Sequence, residues 1–257
     1  MRAKYPILEF DRLKMYFGDP YVITCRHGSI TLPFLTIGDL VEVGENHFFP
    51  ALNVIVANTT SYRSFLWDFG LDWNEVSDFE LFCMIYKNIE PDVSRLLFGS
   101  LDFSLFEIKA LNVDESTKKL VLASEAQNVE IDEDAYQQFH QYYQVLFNMK
   151  PEDELTHDNR LKKWWIDKDQ REQARKAKKK DKRKYSLQPM VSALVNHPGF
   201  KYKLSELKQV GIAEFYDSVK RLQIYEQSTA LLKGMYSGMI SSKDIDPEQY
   251  NWMKETL

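Results

Sequence analysis

The sequence predicts an α+β fold that is predominantly α-helical. Apolar residues recur mostly at the three- and four-residue spacing of amphipathic helices, whereas β-prone runs are few and short. Hydrophobic residues make up 44% of the 257 residues, which is close to the content of ordinary globular proteins. We therefore expect a mainly helical α+β body over residues 1–150, a basic linker or solvated helix over 151–184, and a helical C-terminal domain over 185–257.

The first predicted elements are a small hairpin and a capped helix. Two β-prone runs, residues 21–24 and 29–32, flank an Arg-His-Gly sequence that indicates a turn. After Pro33, Thr36 is typical of an N-cap, and the residues behind it have helical periodicity as far as Gly44.

Helices dominate the next part of the predicted body. Apolar positions predict helices over residues 47–57 and 61–69. Ser77 and Glu80 have the spacing of a capping box, and the amphipathic stretch behind them predicts a further helix. Asp92 is predicted to cap another short helix.

A second β region and a long helix complete the body. Strands are predicted over residues 103–108, 119–123 and 129–131, with a turn at 114–116. Asp132 is typical of an N-cap, and the apolar residues that follow it predict one long helix.

The C-terminal part is predicted to be helical throughout. Apolar periodicity indicates helices over residues 189–195, 205–210, 212–232 and 247–257. The short helix followed by a longer one near 204–225 resembles a helix-turn-helix. However, the longer helix begins with Ile-Ala-Glu-Phe-Tyr-Asp, which offers two carboxylates and few groups that read bases. We therefore favour a helical hairpin whose second helix packs inward.

Positive charge is concentrated in one segment of an otherwise acidic chain. Residues 160–184 contain 13 Lys or Arg and 4 Asp or Glu, a balance of +9; because the whole chain carries −5, the other residues carry −14. We call residues 160–184 the basic arm. The asymmetry indicates that this arm binds a partner through electrostatic contacts. The residues predicted to make that contact are the cations at the end of the segment: Arg175, Lys176, Lys178, Lys179, Lys180, Lys182, Arg183 and Lys184.

The sequence lacks the usual motifs of catalysis and of cofactor or metal binding. The 10 glycines are scattered singly, so no phosphate loop or dinucleotide fingerprint is present. The 5 histidines have no metal-ligand spacing, and neither cysteine has a ligand-spaced neighbour. Cys25 precedes His27 closely, but a buried structural thiol is the favoured interpretation. We expect no catalytic residue, no cofactor and no metal ion.

Composition also bears on location. No segment approaches the roughly 20 apolar residues of a membrane span, so we expect no membrane partner. The N-terminal residues lack a signal-peptide pattern. The 2 cysteines, Cys25 and Cys83, lie in apolar surroundings, which is typical of buried thiols in a reducing compartment. These features predict a soluble, intracellular protein.

One enzymatic alternative stays open. Pro91-Asp92 followed by Glu107-Ile108-Lys109 resembles the motif of a large nuclease superfamily, in which two carboxylates hold Mg²⁺ and the lysine steadies the attacking water. In that superfamily the aspartate belongs on a strand, whereas Asp92 is predicted at the start of a helix. A Mg-dependent nuclease is therefore the least favoured hypothesis.

Seven segments together carry a resemblance to a known family: residues 32–40 (LPFLTIGDL), 44–45 (GE), 66–73 (LWDFGLDW), 77–82 (SDFELF), 97–103 (LFGSLDF), 234–238 (GMYSG) and 251–253 (NWM). They resemble morphogenesis proteins from the structural gene clusters of tailed bacteriophages and prophages of Gram-positive bacteria. None of these segments is a catalytic motif, so the resemblance assigns no functional residue.

The resemblance implies a non-enzymatic tail assembly factor or chaperone that binds another phage structural protein. A tape-measure or tail tube protein is the expected partner, and the host cell cytoplasm or the virion is the expected location. Helices before residue 100 would build an apolar groove, and the basic arm would engage an acidic partner face. The alternative is a nucleic-acid-binding accessory protein that uses the arm at 176–184 and the helical hairpin near 204–225.

Overall fold

Helices dominate the structure and the strands form two small antiparallel sheets, so the predicted fold class is confirmed. The computed structural model describes residues 5–112, 118–149, 151–178, 186–241, 243 and 245–254. Its α-helices are α1 (Arg12–Phe17), α2 (Ile37–Val43), α3 (Glu45–Val56), α4 (Arg63–Asp68), α5 (Asp78–Ile85), α6 (Pro91–Leu97), α7 (Glu133–Leu146), α8 (Asn159–Lys178), α9 (Gln188–Asn196) and α10 (Ile212–Tyr236). Its strands are β1 (Tyr21–Thr24), β2 (Ser29–Leu32), β3 (Glu107–Asn112), β4 (Lys118–Ser124) and β5 (Val129–Ile131).

The predicted hairpin of β1 and β2 is confirmed, and its turn rests on the second sheet. Gly28 has a φ of 74°, and a Cβ atom at this position would lie 2.5 Å from the carbonyl oxygen of Asn128. The neighbouring His27 forms an antiparallel bridge with Glu130 in β5. Only glycine combines this backbone conformation with so close an approach of two turns.

The second sheet has the order β3-β4-β5, and all its pairs are antiparallel. The predicted strands at 119–123 and 129–131 are confirmed. The predicted turn at 114–116 lies outside the described residues.

The strand predicted over residues 103–108 is wrong in its first half, where Phe103–Leu105 form a 3-10 helix. Phe103 and Phe106 are both buried, and residues three apart face the same side in a helical turn but not in a strand. The Asp102 side chain accepts a hydrogen bond from the Ser104 amide at 2.9 Å and so caps this turn. Strand β3 therefore begins only at Glu107.

Local capping predictions agree with the structure at three helices. Thr36 caps α2 in a reciprocal capping box with Asp39, and Ser77 caps α5 in the same way with Glu80. Asp132 caps α7 by accepting a hydrogen bond from the backbone at 2.9 Å. Each side chain satisfies an amide that the first turn of a helix leaves without a partner.

The cap predicted at Asp92 is wrong by two residues. Glu90 occupies the N-cap position of α6 and Pro91 the first helical position, where its lack of an amide hydrogen costs nothing. Asp92 lies inside the first turn and pairs with Arg95 at 2.6 Å.

Two predicted C-terminal helices are reduced to 3-10 turns. Residues 205–210 contain only the turn Leu207–Gln209, and residues 247–257 contain only Pro247–Gln249 among those described. The Asn251 side chain accepts a hydrogen bond from the amide of Met253 at 3.2 Å, which favours a local turn over continued helix.

Helix α7 lies at the centre of the core. It packs against α3, α5, β1 and β5. Its Tyr136 and Phe139 are fully buried, with ring centroids 5.1 and 5.5 Å from that of Phe82 on α5. Phe98, which follows α6, lies 5.0 Å from Phe139 in an edge-to-face arrangement.

The C-terminal segment joins this core through backbone pairing and apolar burial. The amide of Ile37 donates to the carbonyl of Val210 at 3.0 Å, and the amide of Ile212 donates to the carbonyl of Leu35 at 2.9 Å. Phe215, on the first turn of α10, is fully buried in the same core. The division at residues 150 and 184 stays a prediction, since these contacts do not define domain boundaries.

Within the described part of the chain, no helix combines the length and the apolar character that crossing a membrane requires.

Candidate interaction surface on helix α8

Helix α8 is docked on the body at one end and exposed at the other. Lys162 and Ile166 are buried, and Trp165 and Asp169 are half-buried on the same side. These positions follow the spacing of one helix face. From residue 170 to 175 every side chain is exposed, although Gln170 still donates a hydrogen bond to Asp68 of α4 at 3.3 Å.

A buried arginine anchors the docked end. Arg63 of α4 is 6% exposed and contacts Asp169 through two hydrogen bonds, Nε to Oδ2 at 2.5 Å and Nη2 to Oδ1 at 2.9 Å. Its Nη1 donates to Glu154, and the guanidinium lies 5.2 Å from the ring centroid of Trp165. The hydrogen bond to Asp169 raises the pKa of Arg63, so the group stays charged despite burial.

A second buried cation holds the first turns of α8. The ammonium of Lys162 pairs with Asp72 and lies 5.7 Å from the ring centroid of Trp73. Trp73 is fully buried, and its indole N–H donates to the carbonyl of Glu154 at 3.1 Å. Because two buried cations share this network with indole rings, the base of α8 is rigidly placed.

The exposed face of α8 carries one aromatic and three cationic side chains in a row, which we call the α8 stripe: Trp164, Lys168, Arg171 and Arg175. Their spacing of four, three and four residues places them on one side of the helix, and all four line one surface depression. Trp164 is 57% exposed, and the Lys168 ammonium lies 5.6 Å from its ring centroid. The same depression also contains Asp167 and Glu172.

The structure places the predicted arm residues only in part. Arg175 is exposed at the end of the α8 stripe. Lys176 and Lys178 belong to the backbone of α8, but their side chains lie outside the described residues. The remaining predicted contacts lie wholly outside the described residues: Lys179, Lys180, Lys182, Arg183 and Lys184.

Sequence reasoning missed the inner part of the stripe. Trp164, Lys168 and Arg171 precede the dense cationic run, where acidic residues lower the local charge. In the sequence, their helical spacing to Arg175 indicated that these residues share one face of the helix. That spacing becomes informative once Ile166 is known to face the body, because the buried side of the helix is then known.

The apolar groove predicted among the helices before residue 100 stays a prediction. These helices bury most of their apolar side chains in the core, although some, such as Trp67, are exposed. The cleft between α2, α3 and α6 is lined mainly by polar groups, among them Asp39, Glu42 and Asp92. Within it, Nδ1 of His47 lies 2.9 Å from a carboxylate oxygen of Glu90.

Two residues of the nuclease hypothesis are engaged in other pairs. Asp92 pairs with Arg95 on a helix, and Lys109 on β3 donates to Glu125 at 2.7 Å. No group of three or more His, Cys, Asp or Glu among the described residues is arranged to hold a metal ion. The expectation that the protein is not an enzyme stays a prediction.

Cys25 and His27 occupy different environments. Cys25 is buried, and burial raises the pKa of its thiol to about 11. The His27 side chain is largely exposed, and its Nε2 lies 3.7 Å from Glu130. At neutral pH Cys25 is a protonated thiol inside the core, which makes it a poor nucleophile.

The predicted hairpin near 204–225 packs inward. Its first element is a 3-10 turn, and the first turn of α10 buries Ile212, Ala213 and Phe215. A recognition helix would need these N-terminal side chains in a DNA groove. The favoured interpretation of the pattern, an inward-facing hairpin, agrees with this burial.

Comparison with protein-family models matches part of the chain. Residues 177–256 match the family model described as the YomV second domain. YomV is a Bacillus phage or prophage protein, so the C-terminal part of this chain is similar to a phage-associated domain. No curated protein and no solved structure matches the chain.

Proposed function

We propose that this protein is a non-enzymatic bacteriophage morphogenesis protein, a tail assembly factor or chaperone that binds another phage structural protein in the host cytoplasm. The observation that carries the proposal is the α8 stripe, which extends from an acidic body immediately before the segment similar to a phage-associated domain. A rigid base and an exposed cationic face suit a binding helix.

The chemistry of the stripe favours an acidic protein partner. Tryptophan and arginine are the residues that most often dominate protein interfaces, because each combines a large contact area with a directional polar group. Arg171 and Arg175 can each bind a carboxylate through two parallel hydrogen bonds. Their spacing relative to Trp164 follows one helix face, so an acidic helix lying along α8 would meet every member of the stripe. A tape-measure or tail tube protein with such a helix is the partner we propose.

A nucleic-acid partner is the second candidate. The stripe places lysine beside an exposed indole, and this combination can neutralise a phosphate while a base stacks on the ring. Asp167 and Glu172 line the same depression and would repel phosphates and the carboxylates of a partner alike, so they do not separate the two candidates. We place the protein partner first because the stripe consists mainly of tryptophan and arginine, the residue types that most often dominate protein interfaces.

The test is a pull-down of tagged protein from phage-producing cells treated with nuclease. The variant combines Trp164→Ala, Lys168→Glu and Arg171→Glu, which removes the aromatic contact and reverses two charges. Wild-type protein should recover a phage structural protein, and the variant should recover about tenfold less or lower, because hot-spot contacts each contribute a large share of binding. Lys163→Glu is the matched control, since Lys163 is exposed on α8 outside the stripe and should bind as wild type does.

The two candidates separate in the same experiment. Recovery of nucleic acid alone from untreated cells, and of no phage structural protein after nuclease treatment, would overturn the assembly proposal in favour of the nucleic-acid candidate. Equal recovery by wild type and the stripe variant would show that the stripe is not the binding surface.

A further inference from the structure

The outer edge of β3 is open. Strand β4 pairs with one side of β3, and no backbone hydrogen bond outside that ladder involves residues 107–111 among the described contacts. The opposite end of the sheet differs, because the amide of Glu130 donates to the carbonyl of His27 at 3.2 Å. Glu107, Ile108 and Ala110 are all exposed along the open edge. An open edge presents unpaired amide and carbonyl groups to any strand that can align with it.

The side chains of this edge are complementary to themselves. When two copies of β3 run antiparallel about a twofold axis through Ile108, Glu107 of each copy lies opposite Lys109 of the other. The two isoleucines then face each other at the axis. Ile108 is 49% exposed in the single chain and would gain an apolar neighbour. Opposite charges and apolar residues directly across an antiparallel pair are both stabilising.

We propose that the protein forms a twofold dimer in which the β3 edges of two copies pair in this register, so that the two three-stranded sheets become one six-stranded sheet. The occupant of the edge is a second copy of this chain. Its recognition rests on backbone hydrogen bonds and on two Glu107–Lys109 pairs related by the axis.

Charge selects this register over its neighbours. A shift that centres the axis on Lys109 places the two lysines opposite each other, and centring on Glu107 opposes the two glutamates. Like charges directly across a pair are destabilising. Lys109 already pairs with Glu125 at 2.7 Å, but this ion pair is solvent-exposed and contributes little, so it does not prevent the contact across the axis.

The dimer is independent of the proposed function, since it uses a different surface. If both hold, the dimer carries two α8 stripes. Two linked binding sites on a repetitive phage structure would engage it more tightly than either site alone.

The experiment measures molar mass by light scattering and the dimer dissociation constant by sedimentation for the full chain. Wild type is expected to be a dimer. Glu107→Lys and Lys109→Glu should each weaken dimerisation about tenfold or more, because each replaces two attractive pairs by two repulsive ones. An equimolar mixture of the two variants should form a heterodimer, because one chain then presents two lysines to two glutamates of the other.

The double variant Glu107→Lys/Lys109→Glu should restore the wild-type dimer, since the exchange keeps every pair opposite in charge. Restoration also excludes misfolding as the cause of the single-variant result. A monomeric wild type would overturn the proposal. So would a dimer that neither single variant weakens, because its interface would then lie elsewhere.

Discussion

Arg63 illustrates how one side chain decides where a helix lies. Its guanidinium is buried between α4 and α8, with two carboxylates and the face of an indole as neighbours. A planar guanidinium can satisfy all these partners at once, which a lysine ammonium cannot. Which part of α8 is exposed therefore depends on Arg63, a residue more than a hundred positions earlier in the chain than its partner Asp169.

Replacement of Arg63 by alanine should destabilise the protein. The change leaves Asp169 and Glu154 without their cation and opens a gap beside Trp165. Since both carboxylates retain partial contact with water, we expect a loss of about 2–4 kcal/mol in the free energy of unfolding, below the upper range for fully buried pairs. Urea denaturation followed by circular dichroism measures this loss.

Arg171→Ala is the matched control for the Arg63 variant. Arg171 is exposed on α8, so its removal should change the free energy of unfolding by less than about 0.5 kcal/mol. If the Arg63 and Arg171 variants proved equally stable, the ion-pair network would not anchor α8.

At the scale of the element, α8 combines two environments in one continuous helix. Its first part is held by apolar and ionic contacts, whereas the side chains of residues 170–175 are all exposed. A short solvated stretch of helix is marginal in water without tertiary contacts. The end of α8 thus depends on the docked part for its helical structure.

Native-state hydrogen exchange should divide α8 at Asp169. Backbone amides of residues 162–169 should be protected like those of α7, because opening them requires loss of the Arg63 and Lys162 contacts. Amides of residues 171–178 should exchange at rates that approach those of an unstructured peptide. Peptide-resolved mass spectrometry at neutral pH makes the comparison, and uniform protection along the whole of α8 would contradict it.

At the scale of the whole molecule, the body and the C-terminal segment share one core. The backbone bridge between Thr36 and Gly211 brings the first turn of α10 against the body. A Cβ atom on Gly211 would lie 2.6 Å from the ring of Phe34, so the two segments pack closely there. We expect that perturbing one segment also destabilises the other.

Phe215→Ala should shift the unfolding of the entire chain. Loss of a fully buried phenylalanine costs about 3–5 kcal/mol. In a Trp252→Phe background all remaining tryptophans precede α9, so fluorescence reports the body and α8 while circular dichroism reports all helices. Both signals should move to lower urea concentration together.

Tyr236→Ala provides the control for this prediction. Tyr236 lies on the same helix but is 85% exposed, so the urea midpoint of unfolding of this variant should stay near that of the parent protein. A fluorescence transition that stays in place while part of the circular dichroism signal shifts would show that the segments unfold separately.

The local sequence pattern was sufficient to predict the features that depend on residues close together in the chain. The caps at Thr36, Ser77 and Asp132, the first hairpin and the helical class all follow from hydrogen bonds and periodicity within a few positions. The same local signals failed at residues 103–108, where burial of Phe103 and Phe106 in a common core favours a 3-10 turn over a strand. Propensity is weak where core packing determines the backbone.

Long-range contacts decided the features that bear on function. The basic character of residues 160–184 was visible in the sequence, but its division into a docked face and the α8 stripe depends on Arg63 and Asp72, far away in the chain. The open edge of β3 likewise appears only once the strand order is known. A sequence determines which residues are polar, apolar or charged. Whether they are exposed depends on which segments, far away in the chain, pack against them.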